Sequence, residues 1–257
     1  MPPLLINMVC AGGYQFNKFK LNKIATRWPV TAVGQRFCSN GICRYVLMKI
    51  IENDTFYDYI KQYDPDSEYH LVGEVDYHLL SDDKPYDGME SHREALRMVF
   101  EWLVKQNIEN IEKARIMFGD ELADKLRPLV YDINKAKPSL LDPRVFFYCP
   151  NIMKTAYYGS VFYDAEWRPD DENCGTTVPY WYALMEPVHG RRNKPEVFKE
   201  VNNVLFPNGT DTLDIYEWTT DWSDFFDAGH EWYGACCWSV YDKTMNRYAV
   251  MLVSATD

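Results

Sequence analysis

Between Asp221 and Trp238 the chain reads DWSDFFDAGHEWYGACCW. Carboxylates at 221, 224 and 227, then His230 and Glu231, then Cys236 and Cys237, are residue types that hold metals or serve nucleophiles. Spaced by three, Asp221, Asp224 and Asp227 would share one edge of a helix, whereas a strand would split them between its two faces. On a helix, that edge together with His230 would suit Mg²⁺ or Mn²⁺, and His230 with Cys236 or Cys237 would suit Zn²⁺. The corresponding activity is a metal-dependent hydrolase in which the ion activates water. The stretch has no H-x-x-x-H, no EF-hand loop and no C-x-x-C pair, so the spacing does not specify a metal. The favoured alternative makes the acids solvated residues of a turn or short helix, with Trp222, Phe225 and Phe226 facing inward. No cofactor is expected on that view, and a divalent cation is the one alternative.

Other reactive residues are weaker candidates. A nucleophilic Cys236 or Cys237, activated by His230 or His189, needs electropositive surroundings, and these are acidic. Adjacent cysteines in a strand point to opposite faces, which sends at least one into the core. Cys38 and Cys43 have no second ligand pair to complete a zinc knuckle and fit a turn entering a strand. His70 and His78, around Glu74 and Asp76, sit in a stretch without helical period and are expected to be exposed. Gly12-Gly13 is too short for a phosphate loop, and neither G-x-G-x-x-G nor G-x-x-x-x-G-K-[ST] occurs, which disfavours the common nucleotide-cofactor enzymes. An enzyme is therefore the less favoured class.

Charge is unevenly distributed. Residues 1–51 hold no Asp or Glu and seven cations, so with a whole-chain net charge of −11 the remainder carries −18. Residues 141–257 alone hold 18 acids against 9 Lys and Arg, a net −9. Lys18, Lys20, Lys23, Arg27, Arg36 and Arg44 are interleaved with aromatics in the basic region, a composition that could stack bases and neutralise phosphates. A nucleic-acid-associated protein is thus a third, weaker reading. The preferred one is a protein-binding or inhibitory module whose acidic, aromatic C-terminal half engages a basic partner surface, with Trp218, Asp221, Trp222, Asp224 and Asp227 as contacts.

The elements that would position these residues follow from period and punctuation. With 257 residues and 47% hydrophobic content the chain can bury a substantial core. Seven scattered cysteines fit free thiols rather than a disulfide framework. No apolar run is long enough for a membrane span, and the opening residues lack a basic segment of the secretory kind, so a cytoplasmic protein is expected. Three regions are expected: a basic-to-mixed, β-rich stretch over 1–88, a helical segment over 89–138, and an acidic α+β region over 139–257, all compatible with one domain. Strands are predicted at 16–21, 43–51, 144–149, 155–163, 180–184 and 213–219, and a terminal hairpin at 232–241 and 247–255 around a five-residue loop. Ser91 and Glu94 predict a capping box opening a helix, followed by a short helix through Ile108, Ile111 and Arg115 and a third from Asp120 to Pro128. Pro195 opens an amphipathic helix with Val197, Phe198, Val201, Val204 and Leu205 on one face. In 247–255 both alternating sets are apolar, which predicts a central strand covered on both sides. The fold class is α+β, a mostly antiparallel sheet with a central helical segment and an amphipathic helix packed on it.

Overall fold

A computed structural model of the protein describes residues 35–39, 42–46, 48–63, 71–147, 180–185, 193–231 and 234–255. The terminal hairpin is the centre of the architecture. Strands β8 (Ala235–Asp242) and β9 (Arg247–Ser254) pair antiparallel from Ala235↔Ser254 to Asp242↔Arg247. The loop is therefore one residue shorter than the sequence suggests. Asp242 Oδ1 closes it by accepting from the backbone N–H groups of Thr244 and Met245, and Asn246 takes a left-handed φ of 48°.

Around this hairpin lie β3 (Lys49–Ile50), β4 (Leu71–Val72), β5 (Val75–Ser81), β6 (Pro138–Leu141) and β7 (Leu213–Trp218). Together they form a seven-stranded sheet with the order β3-β5-β9-β8-β7-β6, with β4 pairing β5. Every strand pair described is antiparallel. β9 sits between β5 and β8, and both its faces are buried, as its alternation predicts. Tyr248, Val250 and Leu252 enter one core and Ala249, Met251 and Val253 the other. A separate two-stranded ribbon joins β1 (Gln35–Ser39) to β2 (Ile42–Val46).

Helices cover both faces of the large sheet. On one lie α1 (Thr55–Ile60), α4 (Pro143–Phe146), α5 (Tyr180–Met185) and α6 (Pro195–Leu205), all contributing to a single core. In α6 the predicted face is buried at Phe198, Val201 and Leu205, with Val197 and Val204 partly covered. On the other face lies α2 (Gly88–Phe118), continued after Gly119 by α3 (Asp120–Ala123). The fold is α+β.

Several local expectations are corrected. Residues 88–118 form one helix of 31 residues rather than two, because nothing between Ser91 and Phe118 breaks the ladder. The helix starts a turn before Ser91, whose Oγ accepts the Asp87 N–H at 2.8 Å. Glu94 does not reach back to the cap and pairs with Arg97 instead. Residues 144–146 and 180–184 are helical rather than extended. In the first of these, Asp142 accepts the Arg144 N–H at 2.8 Å and Pro143 occupies the first turn, the two devices that open a helix. The strand predicted over 43–51 is divided between β2 and β3. The strands predicted at 16–21 and 155–163 lie outside the described residues.

Candidate functional site

The acidic stretch follows β7 directly. Trp218, its last residue, is 2% exposed, and its Nε1 donates to Ser239 Oγ at 2.8 Å. The Arg93 guanidinium lies 5.1 Å from the Trp218 ring centroid, a cation–π contact that ties α2 to the end of β7. Trp222 is 3% exposed. Its ring lies 4.4 Å from that of Phe100 and its Nε1 donates to the Thr219 carbonyl. Phe226 is fully buried, and Phe225 packs partly covered beside it. The aromatic half of the stretch thus enters the core, as the solvated-turn reading expects. Trp218 and Trp222, expected as partner contacts, are placed beneath the surface rather than on it.

A 3-10 helix spans Asp224–Glu231. Its threefold period stacks Asp224, Asp227 and His230 along one edge. Asp221 lies before it in a turn; Asp221, Asp227 and His230 are exposed and Asp224 is half-buried. The four do not converge. Asp224 Oδ1 accepts the Val130 N–H at 2.9 Å and its own N–H donates to the Val130 carbonyl at 3.2 Å. His230 Nε2 meets Thr220 Oγ1 at 2.8 Å. Among the described residues no group of three or more His, Cys, Asp or Glu is placed to hold a metal ion. The expected ligand set of Asp221, Asp224, Asp227 and His230 is not assembled, because two of its members are engaged by the loops beside them.

Those loop contacts build a platform. Besides Asp224, Ser223 Oγ donates to the Val130 carbonyl at 3.1 Å, the Asp132 N–H donates to the Trp222 carbonyl at 2.8 Å, and Tyr131 bridges to Ser223. Val130 is left 66% exposed next to the acids. Burial raises the Asp224 carboxyl above its ordinary value; the Val130 N–H opposes this and the charge of Asp227 adds to it. Asp221, Asp224 and Asp227 form no ion pair among the described residues.

Of the basic candidates, Lys18, Lys20, Lys23 and Arg27 lie outside the described residues. Arg36 and Arg44 fall in the β1–β2 ribbon, opposite Tyr45 and Phe37 respectively. Cys236 and Cys237 are buried in opposite cores. Burial holds the Cys237 thiol well above its ordinary range, the reverse of nucleophile activation. His189 and His70 lie outside the described residues. His78, expected at the surface, is buried on β5, where Nε2 meets Asp76 Oδ2 at 3.1 Å and the ring lies 5.4 Å from that of Trp102.

One polar assembly has no signal in the sequence. His92 of α2 is fully buried, with Nδ1 at 2.8 Å from Ser239 Oγ and Nε2 at 3.1 Å from the Tyr86 hydroxyl. Burial lowers its pKa to about 4, so the ring is neutral at pH 7 and offers one donor and one acceptor. Ser239 Oγ also accepts from Trp218 Nε1. A buried chain of hydrogen bonds links Trp218, Ser239, His92 and Tyr86. Ser239 is 0% exposed, so the pair is an internal tie rather than a nucleophile and its base.

Among the described residues no helix is long and apolar enough to cross a membrane. No protein-family model matches the chain, and neither a curated protein nor a solved structure matches it.

Proposed function

We propose that the protein is a binding module that presents an acidic face, Asp221, Asp224 and Asp227 beside the exposed Val130, to a basic surface of a partner protein. The observation that carries this reading is the combination of carboxylates that form no ion pair among the described residues with a buried support beneath them. Trp222 and Phe226 anchor the segment from inside, and the Val130 loop is bonded to it at four points, so the acids are held in place before any partner arrives. Preorganisation of this kind lowers the entropic cost of association, and unpaired carboxylates steer a cationic partner. Trp218 and Trp222 support the face from below, and Val130 supplies its apolar contact.

The test is binding of an arginine-rich peptide across a salt series. Asp221→Asn/Asp227→Asn is expected to weaken binding and flatten its salt dependence. Glu52→Gln/Asp83→Asn removes the same charge from exposed positions elsewhere and is expected to leave both nearly unchanged. Equal losses in the two variants would mean diffuse attraction by net charge and would overturn the proposal.

A further inference from the structure

Helix α2 extends well past the surface it covers. Its buried residues run from Ser91 to Leu103, and beyond them only Ala114 is buried. The remaining stretch, 104–118, is roughly 20 Å long at the rise of an α-helix. It exposes Ile108 at 48% and Ile116 at 84%, the largest exposure among the large apolar side chains described. Ile108, Glu112 and Ile116 are spaced by four and form one stripe. Lys105, Glu109 and Lys113, also spaced by four and all exposed, flank it on one side. Arg115 flanks the other side and is engaged by Asp120 at 2.7 Å and Asp124 at 3.1 Å, which hold α3 against the helix.

This pattern is self-complementary when reversed. Ile108 and Ile116 lie equally far on either side of Glu112, so an antiparallel copy with its two-fold axis at Glu112 brings each Ile108 against Ile116 of the other chain. In that register the flanking Glu109 of one copy lies beside Lys113 of the other, and the pairing repeats by symmetry, as an isologous interface requires. Lys113 has no ion pair of its own among the described residues; its Nζ reaches Asn110 Oδ1 at 3.4 Å. We propose that the projecting half of α2 is a homodimerisation surface, packed antiparallel on the same segment of a second copy of this chain. The two Lys113 side chains come about as close along the axis as each Glu109–Lys113 pair, about 3 Å at the helix rise, which partly offsets that pairing. A further contact is unfavourable. The two Glu112 carboxylates meet at the axis, each facing its own Arg115 at 3.7 Å.

That contact makes the proposal specific. Sedimentation equilibrium of the full chain over a concentration series is expected to show a monomer–dimer equilibrium. Ile116→Glu, at a position too exposed to affect the fold, should raise the dissociation constant about tenfold or more. Glu112→Gln should tighten association by removing the axial repulsion. Glu109→Lys should weaken it, and Glu109→Lys/Lys113→Glu should restore it. Far-UV circular dichroism checks that each variant keeps its helix. A monomer at every concentration, or a dimer indifferent to Ile116→Glu and to the charge reversal, would overturn the proposal. The acidic face does not include these positions, so its binding test is independent of this one.

Discussion

His92 shows how a single buried residue can set the pH dependence of the whole fold. Its folded pKa is about 4 against an ordinary value of 6.5. Below 6.5 the unfolded chain takes up a proton that the folded one refuses, so stability is full above 6.5 and falls as the pH drops towards 4. At pH 5 the loss relative to pH 7.5 is about 2 kcal/mol, rising towards about 3 kcal/mol near pH 4. Urea unfolding at pH 7.5 and 5 is expected to show this difference in the native protein and to show it much reduced in His92→Gln, which keeps a hydrogen-bonding side chain without the titration. An equal pH dependence in both proteins would remove His92 from that role. Neither His92 nor Ser239 is marked by spacing, since 147 residues separate them and only the folded sheet brings them together. The acids from 221 to 227 were legible as an outer face because the aromatics between them had to go inward. What their spacing could not reveal is that Asp224 is spent on the Val130 amide, a contact 94 residues away.

Among the elements, those with strict periodicity were legible and those rich in aromatics were not. β7, β9 and α6 follow their patterns, because alternation or a helical stripe matches the surface each one buries. At 144–147 and 180–184 the aromatic run suggests a strand, yet β-propensity reflects fit to a half-buried pleated surface more than a backbone preference. Phe146 and Tyr180 instead pack as helical residues in one core, with Phe147 at the end of α4 buried in the same core. Phe146 and Tyr180 stack with ring centroids 4.6 Å apart. The placement of α5 rests on a glycine. Gly73, in the β4–β5 turn, has φ 64°, and a Cβ there would lie 2.3 Å from the Leu184 carbonyl oxygen. Glu74 N–H donates to the Ala183 carbonyl at 2.9 Å in the same contact. Gly209 has φ 89° with nothing within 4 Å of an added Cβ. Gly209→Ala should therefore cost about 1 kcal/mol, the left-handed penalty alone. Gly73→Ala should cost about 2 kcal/mol or more beyond that, since backbone must move to admit the methyl group. Denaturant titration of the two variants checks the order, and equal losses would mean that the turn and α5 are not packed so closely.

At the scale of the whole molecule, stability is set by where the chain closes. β5, from the first third of the sequence, pairs only with late-arriving β9 along its length, from Asp76↔Leu252 to Ser81↔Arg247, apart from the short strands β3 and β4. The sheet is therefore complete only when the last strand is in place, and its amides should open only when the protein unfolds globally. The two-sided burial of β9 made this readable from sequence, because a strand apolar on both faces must lie inside a covered sheet. Its neighbours were not readable, since nothing in a strand's own pattern says which distant segment it joins. The far half of α2 should behave in the opposite way. With Ala114 as its only buried residue, its amides gain little protection beyond the helix hydrogen bonds and the contact with α3. Native-state hydrogen exchange at low protein concentration is thus expected to show 248–253 exchanging with the slowest class. The 108–118 amides should exchange faster, on the order of a hundredfold. Raising the protein concentration should slow exchange in 108–118 while leaving 248–253 unchanged, because association adds protection only where a second copy packs. Uniform protection along α2 at every concentration would show that its projecting half is held by the monomer itself, and the boundary at Leu103 between core helix and free helix would have no energetic meaning.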